Sequence, residues 1–394
     1  MNRSKGPVRV LHVLDELKHS GAEVMLQLAY NNFAKSGIES HILSTGNTVG
    51  AYSAILGNTG YKIHHIPFRK SIGFFKDIHR LFRNKGFSVV HVHTERGFIW
   101  YIVLAKVAGV PILVRTFHNV FLFCSYLRWK RSWQRRLSQN VFRAVHTAIS
   151  ESVLVEEKER FANNCILVRN WTDIETFHPP SKEERHRARE LYGLQTNDFV
   201  LVSIGSCSTV KNHLATFTAV ESLNNLLDGR KVILLHVGKG PMLEEEQMYV
   251  RQHGLGEYIR FLGLLDDVRP CLYAADAFVM TSLWEGLGIA ALEAMSAALP
   301  VVLYNVPGLR DLVRDGKGGL LIEPNPDCLA EALLLMIGHP ELRKKQAQEA
   351  REVVLCTYSL EDSVEKFVAI YKTGACKDRG GDSRSENLVS CVRG

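Results

Sequence analysis

The sequence predicts an α/β protein of two doubly wound, Rossmann-like domains facing a cleft. The chain has 394 residues, about 2.6 lengths of a ~150-residue domain, so two substantial cores are expected rather than one. Short β-branched runs alternate with stretches of helical period, the pattern of parallel strands covered by helices. These runs fall into six before and six after a segment of different composition. With 46% hydrophobic and 23% charged residues, the chain has enough apolar matter for two packed cores and is not of disordered composition.

Taken in order, the first six strand candidates are VRVLHVL, SHILSTG, SVVHVHT, PILVRTF, HTAIS and CILVRN. Each is a brief Val, Ile or Leu run set between helical stretches. Residues Trp171 to Asp198 then break the rhythm, with Pro179-Pro180 followed by a charged helix, and read as the linker. The second six are FVLVSIG, VILLHVG, IRFLG, AFVMTS, PVVLYN and GGLLIEP. A final amphipathic helix, LEDSVEKFVAIYK, precedes a polar tail expected to be disordered. The domains are therefore expected at 1–175 and 176–358, with the last helix at 359–373 and the tail at 374–394.

The formal charge of +7 is unevenly spread. Between Arg96 and Ser150 there is no Asp or Glu but nine Lys or Arg, and the remainder carries 39 basic against 41 acidic residues. Eight scattered cysteines form no C-x-x-C pair, which suits a reduced cytoplasmic setting. The N-terminal apolar stretch is broken by Arg9 and His12, so it is a poor secretory signal. The most apolar window, Ile99 to Val114, contains Lys106, Gly109 and Pro111 and is too short to span a bilayer.

Several nucleotide fingerprints fail. Gly238-Lys239-Gly240 and Gly286-Leu287-Gly288 each give G-x-G, but Leu243 and Ala291 stand where the third glycine belongs. Gly316-Lys317 is followed by Gly318, not the Ser or Thr of a P-loop, and there is no D-x-D to hold a metal against a diphosphate. No metal or other cofactor is expected. The strongest positive signal is TSLWEGLGIAALEAMSAALP, Thr281 to Pro300. Here a strand leads through a glycine turn into a helix whose first free N–H groups, Gly286 through Ile289, suit an anion. Glu285 at its mouth and Glu293 eight residues on are roughly 10 Å apart at ~1.5 Å per residue, too far for a shared-proton pair. They suit sugar hydroxyls on either side of a diphosphate.

These residues carry a family resemblance. Glu285-Gly286-Leu287-Gly288, Glu293-Ala294-Met295 and Leu299-Pro300-Val301-Val302 resemble the E-G-F-G-x-x-x-x-E-A-M-A-x-G-x-P-V-V of glycosyltransferase family 4. Tyr273-Ala274-Ala275-Asp276, Gly238-x-Gly240-Pro241, Lys211-Asn212 and Ser20-Gly21-Ala22-Glu23 support it, from about Val8 to Tyr371. The resemblance implies a retaining enzyme of the GT-B fold with a nucleotide-sugar donor, and a C-terminal helix crossing back to the first domain. It implies that Glu293 binds the donor ribose, that Glu285 holds the transferred sugar, and that Gly286, Leu287 and Gly288 offer backbone donors. Lys211 would neutralise the leaving diphosphate, Gly21 would lie near the phosphates, and His118 near the sugar. The family arginine five residues before the lysine is Ser206 here; Lys239 is a candidate second charge. Arg115 and Asn119 share the His118 loop and are candidate acceptor contacts, and Trp171 replaces the glycine of the family's N-G-V-D. Retention would proceed by attack of the acceptor hydroxyl from the face the diphosphate leaves.

A helical wheel over the basic stretch puts Tyr126, Trp129, Trp133, Leu137, Val141 and Ala144 on one face. Arg128, Arg131, Arg135, Arg136 and Arg143 fall largely on the other, as in an interfacial helix or in a core helix with a solvated basic face. Tyr126, Arg128, Trp129, Arg131, Trp133, Arg135 and Arg136 are therefore expected at an anionic membrane or at the acceptor; no nucleic-acid module is recognisable. The expected partners are a nucleotide-sugar and a lipid-linked or glycan acceptor, in cell-envelope glycan synthesis at the cytoplasmic membrane face. A nucleotide-sugar epimerase and a non-catalytic membrane scaffold are the alternatives.

Overall fold

The computed structural model describes residues 7–121, 123–314 and 316–374; the predicted tail from 375 onward lies outside them. The first sheet is made from β1 (Val8–Leu14), β2 (Ile38–Ser44), β3 (Lys62–His65), β4 (Val89–Val92), β5 (Ile112–Phe117), β6 (Val145–Ala148) and β7 (Ile166–Leu167). Its seven strands run in the order β3-β2-β1-β4-β5-β6-β7, all parallel. Helices α1 (Gly21–Lys35), α2 (Ser53–Thr59), α3 (Ile72–Lys85), α4 (Phe98–Val107), α5 (Ser125–Arg136) and α6 (Glu151–Phe161) connect them. The second unit begins with α7 (Lys182–Leu191) and carries β8 (Phe199–Ile204), β9 (Val232–Val237), β10 (Ile259–Gly263), β11 (Ala277–Met280), β12 (Val301–Tyr304) and β13 (Gly319–Ile322). These six strands are parallel in the order β10-β9-β8-β11-β12-β13. Their connections are α8 (His213–Leu226), α9 (Leu243–Gln252), α10 (Arg269–Ala274) and α11 (Ile289–Ser296), and α12 (Pro326–Gly338), α13 (Pro340–Thr357) and α14 (Leu360–Thr373) complete the chain.

Two doubly wound domains result, as the alternation of strands and helices requires. The sequence reading missed β3. Its KIHH is short, polar and half-exposed at the sheet edge, so it has no apolar run to reveal it. The predicted linker is pinned rather than free: Arg351 on α13 donates to the carbonyls of Ile174 and Phe177 at 3.0 Å each. Trp171, 2% exposed, is a core residue beside Phe367 of α14. Helix α14 packs Val364, Phe367, Ile370 and Tyr371 into the core of the first sheet, with Val10, Met25, Phe33 and Val89.

The domains touch at the C-terminal ends of their strands. Phe117, Val120, Ala148, Ile149 and Val153 of the first domain share an apolar cluster with Leu287, Ala291 and Leu309 of the second. Asp311 accepts from the backbone N–H and hydroxyl of Ser152, both at 2.8 Å, at the first turn of α6. Beside it, Glu151 pairs with Arg169 of its own domain and Arg314 of the other.

Candidate active site

The loop between β11 and α11 forms the centre. Gly288 caps α11 in a left-handed conformation at φ 72°, where a side chain would be strained and would approach Leu309. Helix α11 starts at Ile289, later than the sequence suggests, so Gly286 to Gly288 form the turn before it. The backbone N–H groups of Gly286 through Ala290 have no hydrogen-bond partner among the described residues, leaving an anion-binding end. Gly286 packs against the first domain: a Cβ there would lie 2.1 Å from the His118 carbonyl oxygen. Ser150 donates to the Gly286 carbonyl at 2.7 Å from the same side.

Across the cleft, α1 presents its own first residue. A Cβ on Gly21 would lie 3.3 Å from Ile289, so two helix N-termini meet head to head. Glu293 on α11 has its carboxyl in protein surroundings, and burial pushes its pKa up to about 8. Tyr52 lies close enough to Glu293 and Glu23 for both carboxyls, after burial, to push its hydroxyl pKa up.

Lys211 and Glu285 meet directly. The lysine lies in the turn between β8 and α8, and its Nζ is 2.5 Å from Glu285 Oε1, to which Ser282 Oγ also donates at 2.7 Å. The backbone ties the two loops together, Leu283 N–H donating to the Val210 carbonyl at 2.8 Å. The pair is half-buried, at 20% and 16% exposed. Ser206 is exposed where the family has its arginine, and the exposed Lys239 stands nearby, its carbonyl accepting from the Cys207 N–H.

His118 follows β5, and burial depresses its pKa to about 3. Its Nε2 is 2.8 Å from His93 Nδ1, and its own buried Nδ1 has no partner among the described residues. No sequence spacing pointed to His93 or His12, which the sheet register places in line with it. Asn119 is exposed and accepts from the Val120 N–H at 2.8 Å.

Three expected contact residues are corrected. Arg115 is fully buried in β5 and donates to Glu95 at 2.7 Å, so it faces no acceptor. Arg135 is likewise 0% exposed: it pairs with Glu157 at 2.6 Å and Glu95 at 3.3 Å, with its guanidinium over Phe161 and Phe117. Arg131 also turns inward to Glu95. Helix α5 thus turns its aromatic face outward, not into the core, and two of its arginines inward. Tyr126, Trp129 and Trp133 are 70%, 65% and 55% exposed, together with Arg128, Lys130 and Arg136, while the inner arginines meet acids from just outside the acid-free segment. The helix passes into a π turn at Leu137–Val141, so the wheel does not extend to Ala144. No helix among the described residues is long and apolar enough to cross a membrane.

Two buried clusters gather donors at metal-binding proximity, His12-His91-His93 and Cys207-His236-Glu246. In the first, both His91 nitrogens are engaged, by Tyr371 at 2.7 Å and Thr116 at 2.6 Å. In the second, His236 Nδ1 has no partner among the described residues, whereas a metal-bound imidazole normally donates its other N–H. Both donor sets fit hydrogen bonding better than a metal.

A family profile described as Glycosyl transferases group 1 matches residues 184–353, and one described as Glycosyltransferase Family 4 matches residues 19–175. The chain belongs to glycosyltransferase family 4. It is a glycosyltransferase of GT-B fold. Among its relatives is the UDP-Gal:alpha-D-GlcNAc-diphosphoundecaprenol alpha-1,3-galactosyltransferase of Escherichia coli, 26% identical over 320 residues, covering 77% of this chain and 81% of that one. A glycosyltransferase from Rickettsia africae superposes with a TM-score of 0.81 at 19% identity, covering 93% and 98% of the two chains. Anabaena Alr3699/HepE in complex with UDP-glucose gives 0.77 at 18% identity, covering 93% and 100%.

Proposed function

We propose that this glycosyltransferase moves a sugar, with retention of configuration, from a nucleoside diphosphate sugar to a lipid-linked or polysaccharide acceptor. The observation that carries this reading is the meeting of α1 and α11 end to end beside the Lys211–Glu285 pair. Unpartnered amides and a lysine suit a diphosphate whose charge grows as it leaves, and carboxylates suit sugar hydroxyls. Lys211 then shifts from Glu285 towards the diphosphate, Glu285 accepts from the transferred sugar, and Glu293 accepts from the ribose. Lys211 supplies the leaving-group charge, so no metal is required. The acceptor hydroxyl attacks from the departing side, with a diphosphate oxygen taking its proton.

The acceptor class is supported by the Escherichia coli relative, whose name specifies a diphosphoundecaprenol substrate. The exposed aromatics and cations of α5 support a peripheral position on an anionic, cytoplasmic membrane face. A panel of UDP-, GDP- and ADP-sugars with lipid-diphosphate acceptors, read by released nucleoside diphosphate and by product NMR, tests the transfer and its stereochemistry. An inverted product refutes retention; an epimerised sugar in place of an acceptor product favours an epimerase. Sedimentation with anionic vesicles that survives Trp129→Ala plus Trp133→Ala refutes the role of α5.

A further inference from the structure

Three histidines form a chain from the core of the first sheet to the cleft. His12 Nδ1 is 3.1 Å from His93 Nε2, and His93 Nδ1 is 2.8 Å from His118 Nε2. His12 lies on β1 and is 0% exposed; His93 follows β4 and is 7% exposed; His118 follows β5 beside the Gly286 turn. The two terminal atoms of the chain, His12 Nε2 and His118 Nδ1, are buried and have no partner among the described residues. All three rings are held neutral by burial.

A neutral imidazole carries one proton, so a ring that donates from one nitrogen must accept at the other. Two bonds through three such rings permit only two arrangements. With protons on every Nδ1, the chain runs from His12 through His93 to His118 and ends on an Nδ1–H of His118, in the loop beside the Gly286 turn. With protons on every Nε2, it runs backward and leaves an unpartnered N–H on His12 inside the core. Both terminal atoms are buried, but His118 is partly exposed beside the Gly286 turn, where a bound ligand supplies an oxygen, whereas His12 is 0% exposed in the core and an N–H there stays unsatisfied.

We propose that His12 and His93 are positioning residues that fix His118 as its Nδ1–H tautomer. His118 then serves the transfer as a hydrogen-bond donor to an oxygen of the bound sugar, and not as a base. The chain needs no metal, since each bond uses a nitrogen that a metal would require. The inference rests on reading the cleft as the donor-sugar site, but its central observable does not.

The experiment is long-range proton–nitrogen NMR on the full chain labelled with ¹⁵N-histidine, with each signal assigned by single substitution. His118 in the unliganded wild-type enzyme is expected to show a protonated Nδ1 and a bare Nε2. His93→Leu is expected to give His118 a mixed or Nε2–H pattern and to cut kcat about tenfold with little change in donor KM. The turnover is read by UDP release from whichever UDP-sugar the wild type uses. His93→Asn keeps an N–H at the Nδ position and is expected to restore both signals. Should His93→Leu not fold, His12→Leu and the wild-type spectrum carry the test. An Nε2–H His118 in the wild type, or an unchanged His118 pattern in both leucine variants, overturns the inference. A protein with the Nδ1–H tautomer that transfers no sugar overturns the donor-site reading instead and leaves the chain assignment supported.

Discussion

Replacing Lys211 by methionine removes the cation at the leaving group while keeping the length of the side chain. Its Nζ lies 2.5 Å from Glu285 Oε1 in a half-buried setting, and Ser282 still holds Glu285 in place. Two unit charges about 4 Å apart at an effective dielectric near 20 interact by ~4 kcal/mol. Loss of one preorganised donor at a developing anion costs about 2.7–4 kcal/mol, or ~10²–10³ in rate. Charge on the diphosphate grows as the sugar bond breaks, so the loss should fall on kcat more than on KM. Nucleoside diphosphate release under saturating donor measures kcat, a titration with that nucleoside diphosphate separates binding, and a thermal melt verifies folding. A Lys211→Met enzyme with kcat within threefold of wild type refutes the assignment of the leaving-group cation.

Other outcomes follow from the same geometry. Burial raises Glu293 from about 4.5 to about 8, so its protonated form stabilises the fold at low pH and that contribution is lost as pH rises from about 4.5 to 8. Glu293→Gln should therefore gain Tm over wild type by a few degrees at about pH 8.5 and little at about pH 5, while weakening UDP binding; a pH-independent gap in Tm contradicts this. UDP binding to the wild type near pH 7 should release close to one proton, seen by calorimetry in buffers of different ionisation enthalpy. Gly286→Ala drives a methyl into the His118 carbonyl and should lower kcat/KM at least roughly 100-fold with the separate domains still folded. Asp311→Ala removes both bonds to Ser152 and should cost about 1–2 kcal/mol in a denaturant melt.

The fold was legible because short apolar β-branched runs, buried on both faces of the sheets, alternate with stretches of helical period, and only KIHH, too polar and short, escaped. The loop from Glu285 to Gly288 was legible because a glycine turn opening a helix has one strong physical use. The pairing of Lys211 with Glu285, 74 residues apart, was not, since it depends on how two loops meet. Arg115 and Arg135 misled for the opposite reason. Charge was counted by segment, whereas Glu95 and Glu157, just beyond its ends, neutralise it in space. The histidine chain is equally invisible in the sequence, because His12 comes within reach of His93 only through the β1–β4 register, which sets His12 beside His91 two residues before it.

Helix α14 ties the end of the chain to its beginning. Tyr371 hydrogen-bonds His91 across 280 residues, and Phe367 and Ile370 fill the core built on β1. During synthesis the first domain therefore emerges without one wall and acquires it only after the whole second domain has been made. Closing so long a loop comes late in assembly, since distant contacts are slow to form. A fragment ending at the linker should accordingly expose apolar surface and aggregate, whereas the same fragment expressed with residues 360–374 supplied as a separate peptide should be rescued.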